Sequence, residues 1–487
     1  MRRLASLADI SGPARMPGYD PAVHGRGIVH LGIGAFHRAH QAVMTDDALA
    51  AQGGDWRITG VSLRSKDVAQ AMNPQHGLYT LIERGAAGTS ARVVAAIQDV
   101  IAADPAATLI AMVDPKVRIV TLTVTEKGYG IDRSTQDADP HHPAVAGDLA
   151  DPAHPSGVLG LLTRALQLRR EAGTSPFTVL CCDNLPENGT LLRNGVTGFA
   201  RQIDPALAEW IAANVAFPSS MVDRITPAAT PETLAEAQHQ TGCTDLAAVE
   251  TEPFLQWVIE DHFPTGRPAW EAAGALFVTD VAPYERMKLT MLNGSHSMLA
   301  YAGFLSGCKY VRDVMANPEL ETLVARHHMA AAQTLPPLPD IDLTAYAKAL
   351  QDRFRNPAIA HETFQIAMDG TEKLPQRIFQ PALVALEQGQ DLRPFAFAAA
   401  AWMRYTMGET DEGQPYALRD PREAEIRAAL SPLPSEGAAI SQALLSLPGF
   451  VPEPLRDATE WRRLTAEILS VMISHGMAEA IHREVQA

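Results

Sequence analysis

The sequence predicts an α/β domain built on a parallel β-sheet, followed by a second domain that is mostly α-helical. Three observations predict it. Short β-branched runs alternate with longer amphipathic segments over the first part of the chain, that alternation ends near Tyr284, and the segments beyond it carry helical spacing only. Strands covered on both faces read as continuous apolar runs, and their alternation with helices gives a parallel sheet with helices on both sides. The implied domains are 1–284 and 285–487.

In order, "GIVHLGIG" (Gly27–Gly34) reads as a buried strand entering a glycine turn, and "HRAHQAVMTDDALAA" as the helix after it. "WRITGVSL" (Trp56–Leu63) is a second strand; "VRIVTLTVTEKGY" (Val117–Tyr129) and "PFTVLCCDNL" (Pro176–Leu185) are two more. Helical stretches such as "GVLGLLTRALQLRREAG" separate them. In the second domain "MKLTMLNGSHSMLAYAGFLSG", "NPELETLVARHHMAAAQ", "LRPFAFAAAAWMRYTMG" and "WRRLTAEILSVMISHGMAEAIHREVQA" all have helical periodicity. No internal repeat or low-complexity segment interrupts them, and "TLPPLPDID" reads as a connecting loop.

Composition narrows the function classes. A chain of 487 residues fits two sizeable domains rather than one core. A formal net charge of −16 argues against a nucleic-acid or anionic-membrane surface as main partner, because those need a basic footprint. The four cysteines include an adjacent pair, Cys181 and Cys182, and no C-x-x-C or Cys/His metal spacing. The first twenty residues lack the continuous apolar run of a secretory signal, and no apolar stretch reads as long enough to span a bilayer. The expectation is a reduced, cytoplasmic, soluble protein, a monomer or small homo-oligomer, whose partner is a small molecule.

After the first strand comes Gly32-Ile33-Gly34-Ala35-Phe36-His37. In a Rossmann-type unit the first glycine makes the tight turn, and the second lets the backbone approach a dinucleotide pyrophosphate at a helix N-terminus. His37 stands where the third glycine of that pattern belongs, so the motif alone equally describes an ordinary strand-to-helix turn. The ribose-reading residue should lie at the end of the second strand, in "LRSKD". Asp67 there would bond ribose hydroxyls and favour NAD; Arg64 or Lys66 would pair with a 2′-phosphate and favour NADP. NAD through Asp67 is the expectation, with NADP and a plain solvated loop as the alternatives.

In "KLTMLNGSH" (Lys288–His296) three polar groups interrupt an apolar helix. At 100° per residue Lys288, Asn293 and His296 fall within an arc of roughly 140°, so one side of an α-helix presents all three. By spacing alone, Asn293-Gly294 equally reads as a helix end and Lys288 as a surface residue.

"GIGAFHRAH", "LTVTEKGY", "CDNLPENG", "MVDRITPA", "EPFLQWVIED", "KLTMLNGSH" and "MDGTEKLPQR" together, in order, resemble the mannitol dehydrogenase family of polyol and hexuronate dehydrogenases. The likeness runs from near Gly27 to beyond Arg377. It implies metal-free hydride transfer at a site in the cleft between the two domains. Lys288 matches the family's general base, Asn184 and Asn293 the donors to the alkoxide-like oxygen, and His296 the residue that orients substrate. Glu285 matches a glutamate that relays the lysine's proton, an i,i+3 ion pair being its other reading. Asp223 matches a substrate-region aspartate, with pairing to Arg224 or a turn as its structural alternative. Lys373 matches a substrate-contacting lysine. The implied cofactor contacts are Gly32, Gly34, Phe36, Arg64, Asp67, Thr125 and Glu126.

The chemistry asks for such a set. Hydride leaves carbon readily only as the hydroxyl proton is removed, and neutral amide donors can hold the developing oxyanion in place of zinc. The lysine needs a pKa pulled down towards working pH by desolvation or neighbouring positive charge. For the substrate, mannitol 2-dehydrogenases carry an arginine where this chain has Gln365, and "ETFQIAMDGTEKLPQR" looks closer to the fructuronate reductase branch. A uronate carboxylate wants a fork of cations, for which Lys373 and Arg377 are available. The resemblance therefore implies D-fructuronate and D-mannonate as the reacting pair, with mannitol–fructose or another polyol–ketose pair as the alternative. A dinucleotide-binding sensor without turnover is the reading from a different class.

Overall fold

The structure, a computed structural model, describes residues 2–132, 134–339 and 341–487; the Glu126 side chain lies outside the description. The chain forms two compact units, Met1–Ala282 and Pro283–Ala487.

The first unit is built on a five-stranded sheet: β1 (Arg26–Leu31), β2 (Arg57–Ser62), β3 (Ile97–Ala102), β4 (Ile119–Leu122) and β5 (Thr178–Cys181). All its pairings are parallel, and the spatial order is β3-β2-β1-β4-β5. That is the Rossmann order, with the reversal of winding beside β1. Successive residues feed opposite faces. Val29, Leu31, Val120, Leu122 and Val179 join one core, whereas Ile28, Ile58, Ile119 and Leu180 join the other. Two buried faces explain why these strands are apolar without alternation. Each fully buried aliphatic side chain contributes roughly 1.5–3 kcal/mol.

Three features depart from the sequence reading. The helix after β1 is broken into α1 (Ala35–Ala39) and α2 (Gln41–Gln52) at His40, whose φ/ψ of −121°/−88° is not helical. His40 Nε2–H donates to the Gln256 carbonyl at 2.9 Å, and Nδ1 accepts from the Gln41 amide at 3.1 Å, so a tertiary bond sets the break. The third apolar run ends as strand at Leu122 and continues into a 3₁₀ turn, Glu126–Gly128. Strand β3 was not anticipated, nor was the hairpin Tyr79–Gly85/Gly88–Val94 that pairs with Val249–Thr251. A further small sheet joins Ser220–Asp223, Gln256–Glu260 and Leu276–Val278.

The second unit is helical, and among its described residues the only β-pairings are the isolated bridges Tyr310↔Glu362 and Glu409↔Pro415. Contrary to expectation, one helix, Thr459–Gln486, is long and apolar enough by length and composition to cross a bilayer. Its Trp461, Leu464, Ile468, Leu469 and Met472 are buried, it packs on the helices Arg393–Tyr405 and Gly437–Leu445, and Gly476 (φ 84°) breaks it. These are the features of a core helix. All four cysteines are free.

Candidate active site

In the first unit the loops following β1, β2 and β4 meet at the carboxyl ends of those strands. They line a cavity of about 370 Å³, with Gly32, Gly34, Arg64, Ser65, Thr125 and Lys127 among its walls. This crevice, at the reversal of strand order, is where open α/β sheets take ligands. Gly32 has φ +96°, and a Cβ there would lie 2.1 Å from the Thr123 carbonyl oxygen. A Cβ on Gly34 would meet nothing nearer than 3.8 Å, so that position faces open space. Thr125 takes φ +69°, a conformation that costs a β-branched residue of order 1–3 kcal/mol. A bare backbone cradle beside a strained loop residue fits the phosphates and ribose of a dinucleotide.

The remaining residues expected at the cofactor are placed differently. Phe36 stacks on His40 with ring centroids 5.1 Å apart and packs on the core rather than lining the cavity. Asp67 opens a short helix, Asp67–Met72, where its carboxylate accepts from the Ser65 hydroxyl at 2.7 Å. It too is absent from the cavity wall, which Arg64 and Ser65 reach instead. The Glu126 side chain lies outside the described part.

Asn184 is exposed on the loop after β5. Its neighbour Asp183 anchors that loop: the carboxylate accepts from the Val124 amide at 2.8 Å and the Tyr129 hydroxyl at 2.6 Å. Burial raises the Asp183 pKa, and those hydrogen bonds oppose the rise. Asn188 joins the same loop to the next strand, donating to the Asp183 and Ser220 carbonyls at 3.0 and 2.7 Å. That strand ends at Asp223, only 7% exposed. Arg224 turns its guanidinium to the carbonyls of Ala39 and Glu252 and to the carboxylate of Glu83.

In the second unit Lys288–Asn293 is a π-helical turn, not α-helix. Its ladder runs i→i+5, as in the Gly294 N–H to Leu289 carbonyl bond. Lys288 and Asn293, five residues apart, are therefore one π turn apart and share a side. The α-helix Gly294–Leu305 follows and sets His296 one turn beyond Asn293. The 140° arc expected for an α-helix is thus replaced by a tighter grouping, and Asn293-Gly294 is no helix end. Lys288 and His296 are each 8% exposed, and Asn293 is half-buried. Glu285 is half-buried in the preceding helical turn, Ala282–Met287.

A second π turn, Pro375–Phe379, packs against the first. Pro375 lacks the N–H that would bond the Thr371 carbonyl in an α-ladder. A Cβ on Gly294 would lie 2.9 Å from the Arg377 carbonyl oxygen, so glycine is what lets the two backbones approach. The Arg377 guanidinium reaches the Asn293 carbonyl (3.5 Å) and the Ser297 hydroxyl (3.3 Å). Lys373 donates to the Met368 carbonyl at 2.6 Å and lies 3.7 Å from Asp369. Burial, then the Arg377 charge, lowers the Lys373 pKa.

His296 packs against Phe354 (centroids 4.6 Å) and edge-on to His361 (5.4 Å). Burial holds its pKa well below the ordinary value, and His361, Arg353, Arg377 and His328 push it the same way. Arg353 and His361 were not anticipated. They lie 57 and 65 residues past His296, and only the position of His361 four residues before Gln365 hinted at either. Among the described residues no group of three His, Cys, Asp or Glu side chains could hold a metal ion.

The model of the mannitol dehydrogenase Rossmann domain matches residues 26–272, and that of the mannitol dehydrogenase C-terminal domain matches residues 280–446. The chain belongs to the mannitol dehydrogenase family of oxidoreductases. Among relatives, it is 44% identical to an uncharacterized oxidoreductase, YeiQ, of Escherichia coli strain K12, over 96% of each chain. It is 41% identical to the D-mannonate oxidoreductase of the same organism, over 98% of this chain and 99% of that one. Among solved structures, Pseudomonas fluorescens mannitol 2-dehydrogenase, in ternary complex with NAD and D-mannitol, superposes with a TM-score of 0.81 at 36% identity. That match covers 100% of this chain and 99% of the other. In sequence, the break between the two matched domains, 272 to 280, falls close to the division between the two compact units at Ala282/Pro283.

Proposed function

We propose that this family member uses NAD to interconvert a hexulosonate and an aldonate, D-fructuronate + NADH + H⁺ giving D-mannonate + NAD⁺. The observation that carries the substrate reading is the pair of cations, Arg377 and Lys373, beside the Lys288–His296 turn, with the Arg377 guanidinium against Asn293 and Ser297. A carboxylate compensates such a pair, whereas a neutral polyol does not. The D-mannonate oxidoreductase relative supports the same reading.

The cavity over β1, β2 and β4 would hold the dinucleotide, through Gly32, Gly34, Arg64 and Thr125. When bound, the nicotinamide supplies or accepts the hydride. Lys288 Nζ takes the proton of the reacting hydroxyl, or returns it to the oxygen during reduction. The amides of Asn184 and Asn293 donate to that oxygen as charge develops, and His296, kept neutral by its surroundings, orients the substrate hydroxyls. Glu285 passes the proton on to water, and Asp223 contacts the substrate. Three of the four free cysteines are buried, which suits a reducing cytoplasm.

Mannitol 2-dehydrogenation is the second reading, favoured by the likeness to the Pseudomonas fluorescens enzyme. Mixing protein and NADH with D-fructuronate, D-tagaturonate or D-fructose and following nicotinamide absorbance separates the two. D-Fructuronate is expected to react fastest. Preference for D-fructose would favour the polyol reading, and no NADH oxidation with any of the three would leave a dinucleotide-binding sensor.

The cofactor end has its own test. Arg64 lines the cavity and Asp67 is engaged by Ser65. Arg64→Ala is therefore expected to change the kcat/KM ratio for NADH over NADPH, and Asp67→Ala to leave it within about twofold. A large shift in the Asp67 variant alone would return ribose reading to the carboxylate.

A further inference from the structure

His30 stands near the carboxyl end of β1, opposite Thr121 of β4 in the strand register. It is fully buried and takes no part in the proposed hydride transfer. Its Nδ1 lies 2.7 Å from the Thr121 hydroxyl and its Nε2 2.8 Å from the Thr123 hydroxyl. The Thr123 hydroxyl in turn donates to the Gly32 carbonyl at 2.9 Å. A hydroxyl has one proton and a carbonyl has none, so the Thr123 proton is committed to Gly32 and the His30 Nε2–H donates to Thr123. Nδ1 is then the acceptor for Thr121. The bonds run in one direction, from Thr121 through His30 and Thr123 to Gly32. That order needs a neutral ring, and burial pushes the His30 pKa down to about 3.

His37 completes the arrangement. Its ring, also fully buried, lies face to face on that of His30, with centroids 3.4 Å apart and planes 14° off parallel. It occupies the third glycine position of the turn, where glycine ordinarily lets helix and strand approach closely. Here α1 meets β1 through the stacked rings, which accounts for a histidine in that place.

The pairing of β1 with β4 ends at Leu31 and Leu122. Beyond it the cavity walls are loop, with Gly32 and Gly34 on one side and Thr123 and Thr125 on the other. The Thr123 amide extends the ladder by one bond, to the Leu31 carbonyl at 2.9 Å, and the Thr123 hydroxyl adds a side-chain tie to Gly32. A threonine hydroxyl is otherwise free to rotate; the His30 N–H occupies one of its lone pairs and so aims its proton at Gly32.

We propose that His30 is a positioning residue for the dinucleotide: through the Thr123 hydroxyl it locks the Gly32 carbonyl to the loop after β4 and sets the spacing of the two cavity walls. This rests on the reading of that cavity as the NAD site. Being fully buried, His30 acts through Thr123 rather than by touching the cofactor. A cradle ordered in advance gains affinity, because less freedom is lost when the cofactor arrives.

The test is fluorescence titration of NADH against wild-type protein, His30→Asn, His30→Gln, Thr123→Val, Thr123→Ser and the double variant His30→Asn/Thr123→Val. Melting temperatures are measured alongside. His30→Asn keeps a polar atom where Nδ1 was and falls short of Thr123, whereas His30→Gln carries an amide N–H as far as Nε2 did. His30→Asn and Thr123→Val are each expected to raise the NADH dissociation constant about tenfold, and His30→Gln and Thr123→Ser to stay within about threefold of wild type. Both single changes break the same chain, so the double variant should lose no more than either alone. Unchanged affinity in His30→Asn, equal losses in His30→Asn and His30→Gln, or additive losses in the double variant would overturn the proposal. Gly34→Ala tells that failure from failure of the cofactor reading. If it weakens NADH while the His30 and Thr123 variants do not, the cofactor reading stands and this inference falls; if none of them weakens NADH, both fall. If His30→Asn lowers the melting temperature sharply, Thr123→Val against Thr123→Ser decides, and equal NADH affinities in that pair overturn the proposal.

Discussion

Lys288→Ala is expected to lower kcat by roughly 10²–10⁴-fold, with NADH binding almost unchanged. The residue is nearly buried at the start of a π turn, so it is largely withdrawn from bulk water. On the proposed mechanism, removing it leaves hydride donor and ketone able to bind but takes away the group proposed to protonate the product oxygen. A small amine such as methylamine should restore part of the rate by entering the vacated space. Asn293→Ala is the control: it too is expected to lower kcat, through loss of the proposed donor, and no amine should rescue it. Turnover near wild type for Lys288→Ala across the pH range would end the lysine mechanism and make His296 the next residue to change.

Gly32→Ala should be strongly damaging to both fold and cofactor site. The added Cβ would sit 2.1 Å from one backbone atom of Thr123 and 2.6 Å from another, at φ +96°. No side-chain rotation relieves that, so the loop after β4 must move or the turn after β1 must open. Positive φ alone costs alanine about 1–2 kcal/mol, and with the displaced carbonyl a total of about 2–4 kcal/mol is reasonable. Urea unfolding should show the lower midpoint, and NADH titration a dissociation constant raised at least tenfold. Gly34→Ala separates fold from site: its Cβ meets no atom within 3.4 Å, so stability should hold while NADH weakens. A Gly32 variant with wild-type midpoint and NADH affinity would refute the cradle.

The four strands legible from sequence were those buried on both faces, because a run such as Ile119–Leu122 is buried throughout and carries no charged residue. Strand β3, "IQDVIA", escaped because it is an edge strand, and polar Gln98 and Asp99 interrupt it; Asp99 accepts from the Thr59 hydroxyl at 2.6 Å. The break at His40 was hidden because its cause, the Gln256 carbonyl, is 216 positions away. At the site, lysine, asparagine and histidine could be named from one short stretch, yet the π turn could not. Apolar periodicity over six residues does not separate 3.6 residues per turn from a wider winding, and Gly294 was its only trace. Arg353 and His361 were illegible for a plainer reason, since only tertiary packing brings three distant segments together. Asp67 stood at the right strand end, but local turn chemistry with Ser65 engaged it first.

The π turn also leaves this chain one deletion away from an ordinary helix. Such a turn is an ordinary helix carrying one surplus residue, so a single-codon deletion anywhere from Leu289 to Leu292 would let the ladder relax to i→i+4. The helix would survive and its apolar packing would be largely kept. Lys288 and Glu285, however, would swing by about 100° relative to His296. A paralogue that lost that one residue would keep the nucleotide fold while breaking the Lys288–Asn293–His296 grouping proposed to carry the chemistry. If the proposed lysine mechanism holds, a gap within this hexamer in a homologue should go with lost turnover and retained nucleotide binding.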